Sequence, residues 1–250
     1  FCLAQSHDSE TYQSDTTYIN ECIEVCRKVI YFYPDSASNY IDSIFYRSKK
    51  IDYEYGLYMS HTLKGSLLWL TEDLDKALIE YKLARKYSNA IEFPDREAKG
   101  LGNIALVYTK KMEVDSAIKY LSKTIDYAKE NNVPKMYRKG LFDLGILYLK
   151  QDNYIEAFRN FHKVRDELET AKDSMLLMHV YGNYGALYTK LNNFDSALHY
   201  YNKAIELDNQ LSTVDYRSSN YLNIGELYFR QKGDWDTAAY FYRRAVELAL

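Results

Sequence analysis

Three prolines and ten glycines in 250 residues leave little material for turns, so long uninterrupted elements are expected. Cysteine is as scarce. Cys2, Cys22 and Cys26 make no disulfide framework, and Cys22 and Cys26, four residues apart, share one helix face and read as free core thiols. An excess of charge of either sign is nearly missing too. A formal net charge of −3 lacks the basic excess that a nucleic-acid surface gathers on one face, so no nucleic-acid partner is expected through this region. No run approaches the roughly 18 apolar residues that cross a bilayer, and no membrane span is expected in this piece.

Catalytic signatures are missing as well. The five histidines, His7, His61, His162, His179 and His199, carry no metal spacing such as HExxH, so no metal site is expected. Gly140 and Gly145 have the first spacing of a phosphate loop, but Ile146-Leu147 follows where Lys-Ser or Lys-Thr is needed. Gly100-Leu101-Gly102 lies inside a helical pattern rather than after a strand, so neither glycine pair supports nucleotide binding. No serine, histidine and aspartate set suggests a triad. Neither a cofactor nor catalytic residues are expected.

What is present is a period. Hydrophobic residues make up 47% of the chain and charged ones 27%, a globular rather than disordered balance, and 27 tyrosines supply rings that can be buried with the hydroxyl near water. Ala37, Ala77, Ala117, Ala157 and Ala197 stand 40 residues apart, and Ala238 follows after 41, with Gly233 read as the insertion. A second register agrees: Gly65, Ala105, Gly145, Gly185 and Gly225, with Tyr108, Tyr148, Tyr188 and Tyr228.

Four residues after each marker alanine comes a large side chain (Ile41, Tyr81, Leu121, Phe161, Tyr201, Tyr242). Seven after it comes a small or β-branched one (Ile44, Ala84, Thr124, Val164, Ala204, Ala245). These offsets draw one stripe on a helix, which a second helix would bury. Pro94 and Pro134 suit first helical turns, and Asn153 with Glu156 reads as a capping pair.

The pattern predicts an all-α chain of six hairpins at about 15–48, 53–88, 94–130, 134–169, 172–209 and 214–250, after a mobile leader over 1–14. The first hairpin, with Val25 and Lys28 in the glycine and tyrosine slots, reads as a divergent cap. The last residues, Glu247-Leu248-Ala249-Leu250, continue an amphipathic helix whose apolar face needs a partner. A longer protein, or a homodimer paired through this end, would supply it.

The stretch His179 to Leu207 carries Tyr181, Tyr184-Gly185, Tyr188, Ala197 and Tyr201, with Asn209 where a proline usually stands. It resembles the tetratricopeptide repeat, lengthened from 34 to 40 residues. The resemblance implies a right-handed superhelix whose first helices line a groove for a protein or peptide segment. Lengthened repeats of this kind are found in the N-terminal sensor regions of bacterial (Bacteroidetes-type) signalling and transcriptional regulators.

The positions that the resemblance points into the groove are Lys99 and Asn103, Lys139 and Asp143, His179 and Asn183, and Asn223. An asparagine amide can both donate to and accept from an extended backbone. A second column, Lys110, Lys150, Lys190 and Arg230, ends successive first helices, where cations complement the helix C-termini. Met59, Leu63, Trp69 and Leu70 lie on the corresponding face of the second hairpin and read as core. The clamp for a terminal carboxylate found in some members is not matched, since Gly102 and Leu106, or Gly182 and Ala186, fill its places.

The function expected is non-enzymatic peptide binding in a regulatory protein, and the alternative is a structural or oligomerising scaffold. FCLAQ resembles the end of a secretory signal peptide, so export to the periplasm is expected, with a cytoplasmic setting as the alternative.

Overall fold

A computed structural model describes residues 9–88, 92–171, 173–211 and 217–249. All its regular elements are helical, and the chain divides into two compact units, Phe1–Tyr137 and Arg138–Leu250. The first contains α1 (Ser9–Val29), α2 (Pro34–Lys50), α3 (Glu54–Leu70), α4 (Leu74–Lys86), α5 (Pro94–Lys110) and α6 (Val114–Glu130). The second contains α7 (Pro134–Lys150) from Arg138 onward, α8 (Tyr154–Ala171), α9 (Ser174–Lys190), α10 (Phe194–Leu211), α11 (Arg217–Leu227) and α12 (Trp235–Ala249). These pair into six hairpins, within a few residues of the spans that the sequence pattern gives. At the N-terminus the helix starts earlier: residues 9–14, assigned from their polarity to the leader, are the first turns of α1.

The period is a packing rule. All six marker alanines are buried, as are all six side chains seven positions later. In the second, fourth, fifth and sixth hairpins the glycine slot of the first helix receives the ring sixteen or seventeen residues on. A β-carbon built at Gly65 would lie 2.8 Å from Tyr81, at Gly145 2.6 Å from Phe161, at Gly185 2.5 Å from Tyr201 and at Gly225 2.7 Å from Tyr242. Carbon atoms at van der Waals contact stand about 3.5–4.0 Å apart, so only glycine leaves room for these rings. The third hairpin solves the same problem with smaller parts. There Ala105 replaces glycine, Leu121 replaces the ring, and both are buried.

Hairpins two to six each turn through a residue in the left-handed region: Glu72, Met112, Asp152 and Asn192, at φ between 53° and 66°, and Gly233 at φ 63°. The amide after each of the first four reaches back to the helix, as in Asp73 N–H to Leu68 O at 2.9 Å and Asn193 N–H to Tyr188 O at 2.9 Å, a Schellman closure. Asp73, Asn153, Asn193 and Asp234 then accept from the amide three residues on and open the second helix.

The 41-residue repeat corrects one expectation. Gly233 is not the extra residue; it occupies the ordinary left-handed turn position. The surplus is absorbed just before it, where Tyr228–Lys232 widens into a π-helical turn.

In the first unit, Cys22 and Cys26 are buried free thiols of α1. Burial, with Cys22 adding to it, pushes the Cys26 thiol up to about 11. Cys2, His7 and Leu250 lie outside the described residues. Met59 and Leu63 are buried in the same core, and Trp69 and Leu70 are half-buried. The third hairpin is keyed to the second by Arg85, which donates to the buried Glu97 and lies against Gly100.

Candidate functional site

In the second unit, first helices α9 and α11 leave a cleft of ≈ 180 Å³ between them. Met178, His179, Gly182, Asn183 and Ala186 of α9 form one wall, and Ser219, Asn220 and Asn223 of α11 the other. Gly182 sets its width, since a β-carbon there would stand 3.2 Å from Asn220 Oδ1. Three predicted positions, His179, Asn183 and Asn223, therefore meet in one depression. Asn223 is exposed and Asn183 half-buried. Asn183 Nδ2 donates to His179 O at 2.9 Å, which fixes the amide on its helix and sets its orientation.

The same helix face of α7 carries Lys139 and Asp143, whose Nζ and Oδ2 pair at 2.9 Å. The Asp143 carboxyl is held above its ordinary range, chiefly by burial, with Lys139 acting against that. The His179 imidazole is pushed down, first by burial and further by Lys139, while Asp208 opposes. Asp208 is fully buried, and Arg217 Nε stands 3.8 Å from its Oδ2.

Lys99 and Asn103 belong to the first unit. Asn103 is half-buried. Lys99 has an exposed side chain, yet its ammonium falls below the usual lysine value, through burial first and then Arg27 and Lys135, with Asp95 opposing. Open surface combined with desolvation marks a recessed position, reached by water but surrounded by protein.

The second cation column is engaged differently. Lys110 Nζ donates to Trp69 O at 3.0 Å, sits 4.4 Å over the indole and 3.3 Å from Glu72, so it closes the end of α3 in the preceding hairpin. Lys190 stands 3.7 Å from Asp152 of the preceding turn. Arg230 pairs with Glu226, which also accepts from the Tyr242 hydroxyl at 2.9 Å. Lys150 is exposed at the end of α7. None of these four lines the α9–α11 cleft. Ser219 and Asn220 were missed by the sequence reading. Asn220 lies one helical turn before Asn223, so the spacing of three was the available signal.

Among the described residues no three His, Cys, Asp or Glu side chains gather as a metal would require, and no helix is long and apolar enough to cross a membrane.

Two tetratricopeptide-repeat family models match the chain, one over residues 137–210 and one over 219–249. Among curated proteins none matches in sequence. Solved structures share the fold at low identity. BtubC (BKLC) from P. vanneervenii is 16% identical with a TM-score of 0.66, over 95% of this chain and 90% of that one. A Rap protein complexed with competence and sporulation factor is 14% identical with a TM-score of 0.69, over 93% and 76%. A signal transduction ATPase with numerous domains and a tetratricopeptide repeat sensor, from Pyrococcus horikoshii, is 15% identical with a TM-score of 0.70, over 97% of this chain but 37% of that one. Tetratricopeptide-repeat family models thus cover the last three hairpins, and small-residue seats with large partners recur at the same period in hairpins two to six.

Proposed function

We propose that the chain is a non-enzymatic module that grips an extended peptide or protein segment, with its principal hold in the α9–α11 cleft. The observation that carries this is the convergence of His179, Asn183, Asn220 and Asn223 on one open, uncharged depression beside the Lys139–Asp143 pair. Amides on facing helices can satisfy both the N–H and the C=O of a ligand backbone, which makes the grip tolerant of the ligand's side chains. In the first unit Lys99 and Asn103 make a separate polar patch, where the recessed ammonium suits an acidic group.

The module serves as the sensor or interaction region of a larger, exported bacterial regulatory protein. Fold likeness to a protein with a repeat sensor and to a Rap protein solved with a bound factor supports a signalling setting. Pull-down followed by calorimetry tests the groove. Replacing Asn183 and Asn223 together by Ala should weaken an isolated ligand at least tenfold, and unchanged affinity rejects the assignment.

A second reading, self-association, has its own observation. Val246 of α12 is 57% exposed, whereas Ile205, at the same place one repeat earlier, is 7% exposed beneath α11. Two copies paired through α12 would cover it. Sedimentation of wild type and Val246→Glu distinguishes the cases: pairing predicts a dimer that the charge disperses, and a strictly monomeric wild type at high concentration rejects it.

A further inference from the structure

A second cleft, of ≈ 130 Å³, opens in the first unit between α2 and α3 and uses none of the residues assigned to peptide binding. Asp42, Phe45 and Tyr46 of α2 form one side, and His61 and Lys64 of α3 the other. His61 is held from three directions. Its Nδ1 is 2.7 Å from Glu80 Oε2 of α4, its ring stacks on Tyr87 at an interplanar angle of 3°, and Phe45 meets it edge-on at 5.6 Å between centroids. The other Glu80 oxygen, Oε1, is 3.1 Å from Lys64 Nζ.

A carboxylate only accepts, so Nδ1 carries the proton in this pair. In the uncharged ring that leaves Nε2 as a fixed acceptor. No described residue hydrogen-bonds Nε2. Nothing in ordinary core packing calls for a carboxylate to set the tautomer of an imidazole that lines an open cleft.

We propose that this cleft binds one aromatic ring bearing a hydroxyl, a phenol, whose O–H donates to His61 Nε2 while the ring lies against Phe45 and Tyr46. Size supports a single ring, because an engineered cavity of about 150 Å³ takes benzene. Charge argues against an anion: Lys64 is already paired with Glu80, and Asp42 adds a further negative group to the wall. The acceptor at Nε2 then selects a donor over a plain hydrocarbon. The same chemistry is offered by a free phenol and by a tyrosine side chain of a partner protein.

The test uses the full chain with ¹⁵N-labelled histidine. Phenol should move the His61 Nε2 resonance and bind with a dissociation constant of about 1–10 mM, in line with the affinity attainable by a ligand of so few atoms. Anisole, which has the ring but no O–H, should bind about five- to tenfold more weakly, the worth of one hydrogen bond. His61→Phe should abolish that preference. Tyr46→Ala, at an exposed wall position where folding is not at stake, should weaken both ligands together. N-acetyltyrosinamide binding as well as phenol identifies a partner's tyrosine as the source; phenol binding while the tyrosine amide does not identifies a free phenol. Equal binding of phenol and anisole, an unmoved Nε2 resonance, or Tyr46→Ala without effect on either ligand overturns the proposal.

Discussion

Gly185→Ala is the sharpest probe of how the repeats are built. In an unpacked helix the change is favourable by about 1 kcal/mol. Here the new β-carbon would lie 2.5 Å from Tyr201 Cδ1 and Cε1 and 2.8 Å from Cγ, about 1 Å inside contact distance. Tyr201 is 2% exposed and its hydroxyl lies 3.3 Å from the Thr189 hydroxyl, so the ring has nowhere to swing. Overpacking a core in this way costs about 1–3 kcal/mol, and with the upper part of that range set against the propensity gain, Gly185→Ala should destabilise by about 1–2 kcal/mol. Tyr201→Leu alone leaves the seat empty and should cost about 2 kcal/mol or more. The double variant recreates the Ala105–Leu121 arrangement of the third hairpin, so its loss should fall short of the sum by about 1–2 kcal/mol, a coupling typical of residues in contact. Urea denaturation of the four proteins by circular dichroism, with unchanged m, measures it. A double variant additive to within about 0.3 kcal/mol would refute the claim that ring and glycine are fitted to each other.

Two further outcomes rest on single features. Met112 holds φ 60° at an 83% exposed turn, so Met112→Gly should raise stability by about 0.5–1 kcal/mol, while Gly233→Ala, at φ 63° with open space around it, should lower it by a similar amount; equal melting temperatures for all three proteins would contradict the strain. Asp143, whose folded carboxyl is raised by burial, contributes most to stability below its unfolded value of about 3.9, and that contribution is lost as pH rises through the higher folded value. Asp143→Asn should therefore stabilise at pH 7 and have little effect near pH 3, and a pH-independent difference in denaturation midpoint would show that the carboxyl is not desolvated.

The hairpins were legible because each requirement recurs. An alanine that must be buried, a glycine that must admit a ring and a turn of fixed length reappear at every period, and agreement among slots fixes the boundaries. Polarity hid the start of α1, since the sequence from Ser9 to Ser14 carries no apolar period and yet the helix runs through it. The π-helical turn was hidden for a different reason: sequence spacing shows that one residue is extra but not which backbone torsions take it up. Of the cleft, His179, Asn183 and Asn223 could be read from the repeat, because they occupy equivalent places. Asn220 could not, since it enters only where Gly182 lets α11 approach. Lys110 was hidden by distance: its carbonyl partner, on Trp69, belongs to the preceding hairpin, and the helix-end rule that placed the lysine names only its own helix.

The widened turn at Tyr228–Lys232 carries a lesson about tolerance. Because the surplus residue lies between Gly225 and Tyr242, it would slide the ring off its seat if the coil simply continued; instead the bulge takes up the slack and the two still meet. One-residue length changes at the close of a first helix are thus quarantined there, and the stack downstream keeps step. That makes this corner, rather than any stretch inside a second helix, the natural place to splice in a tag or a reporter.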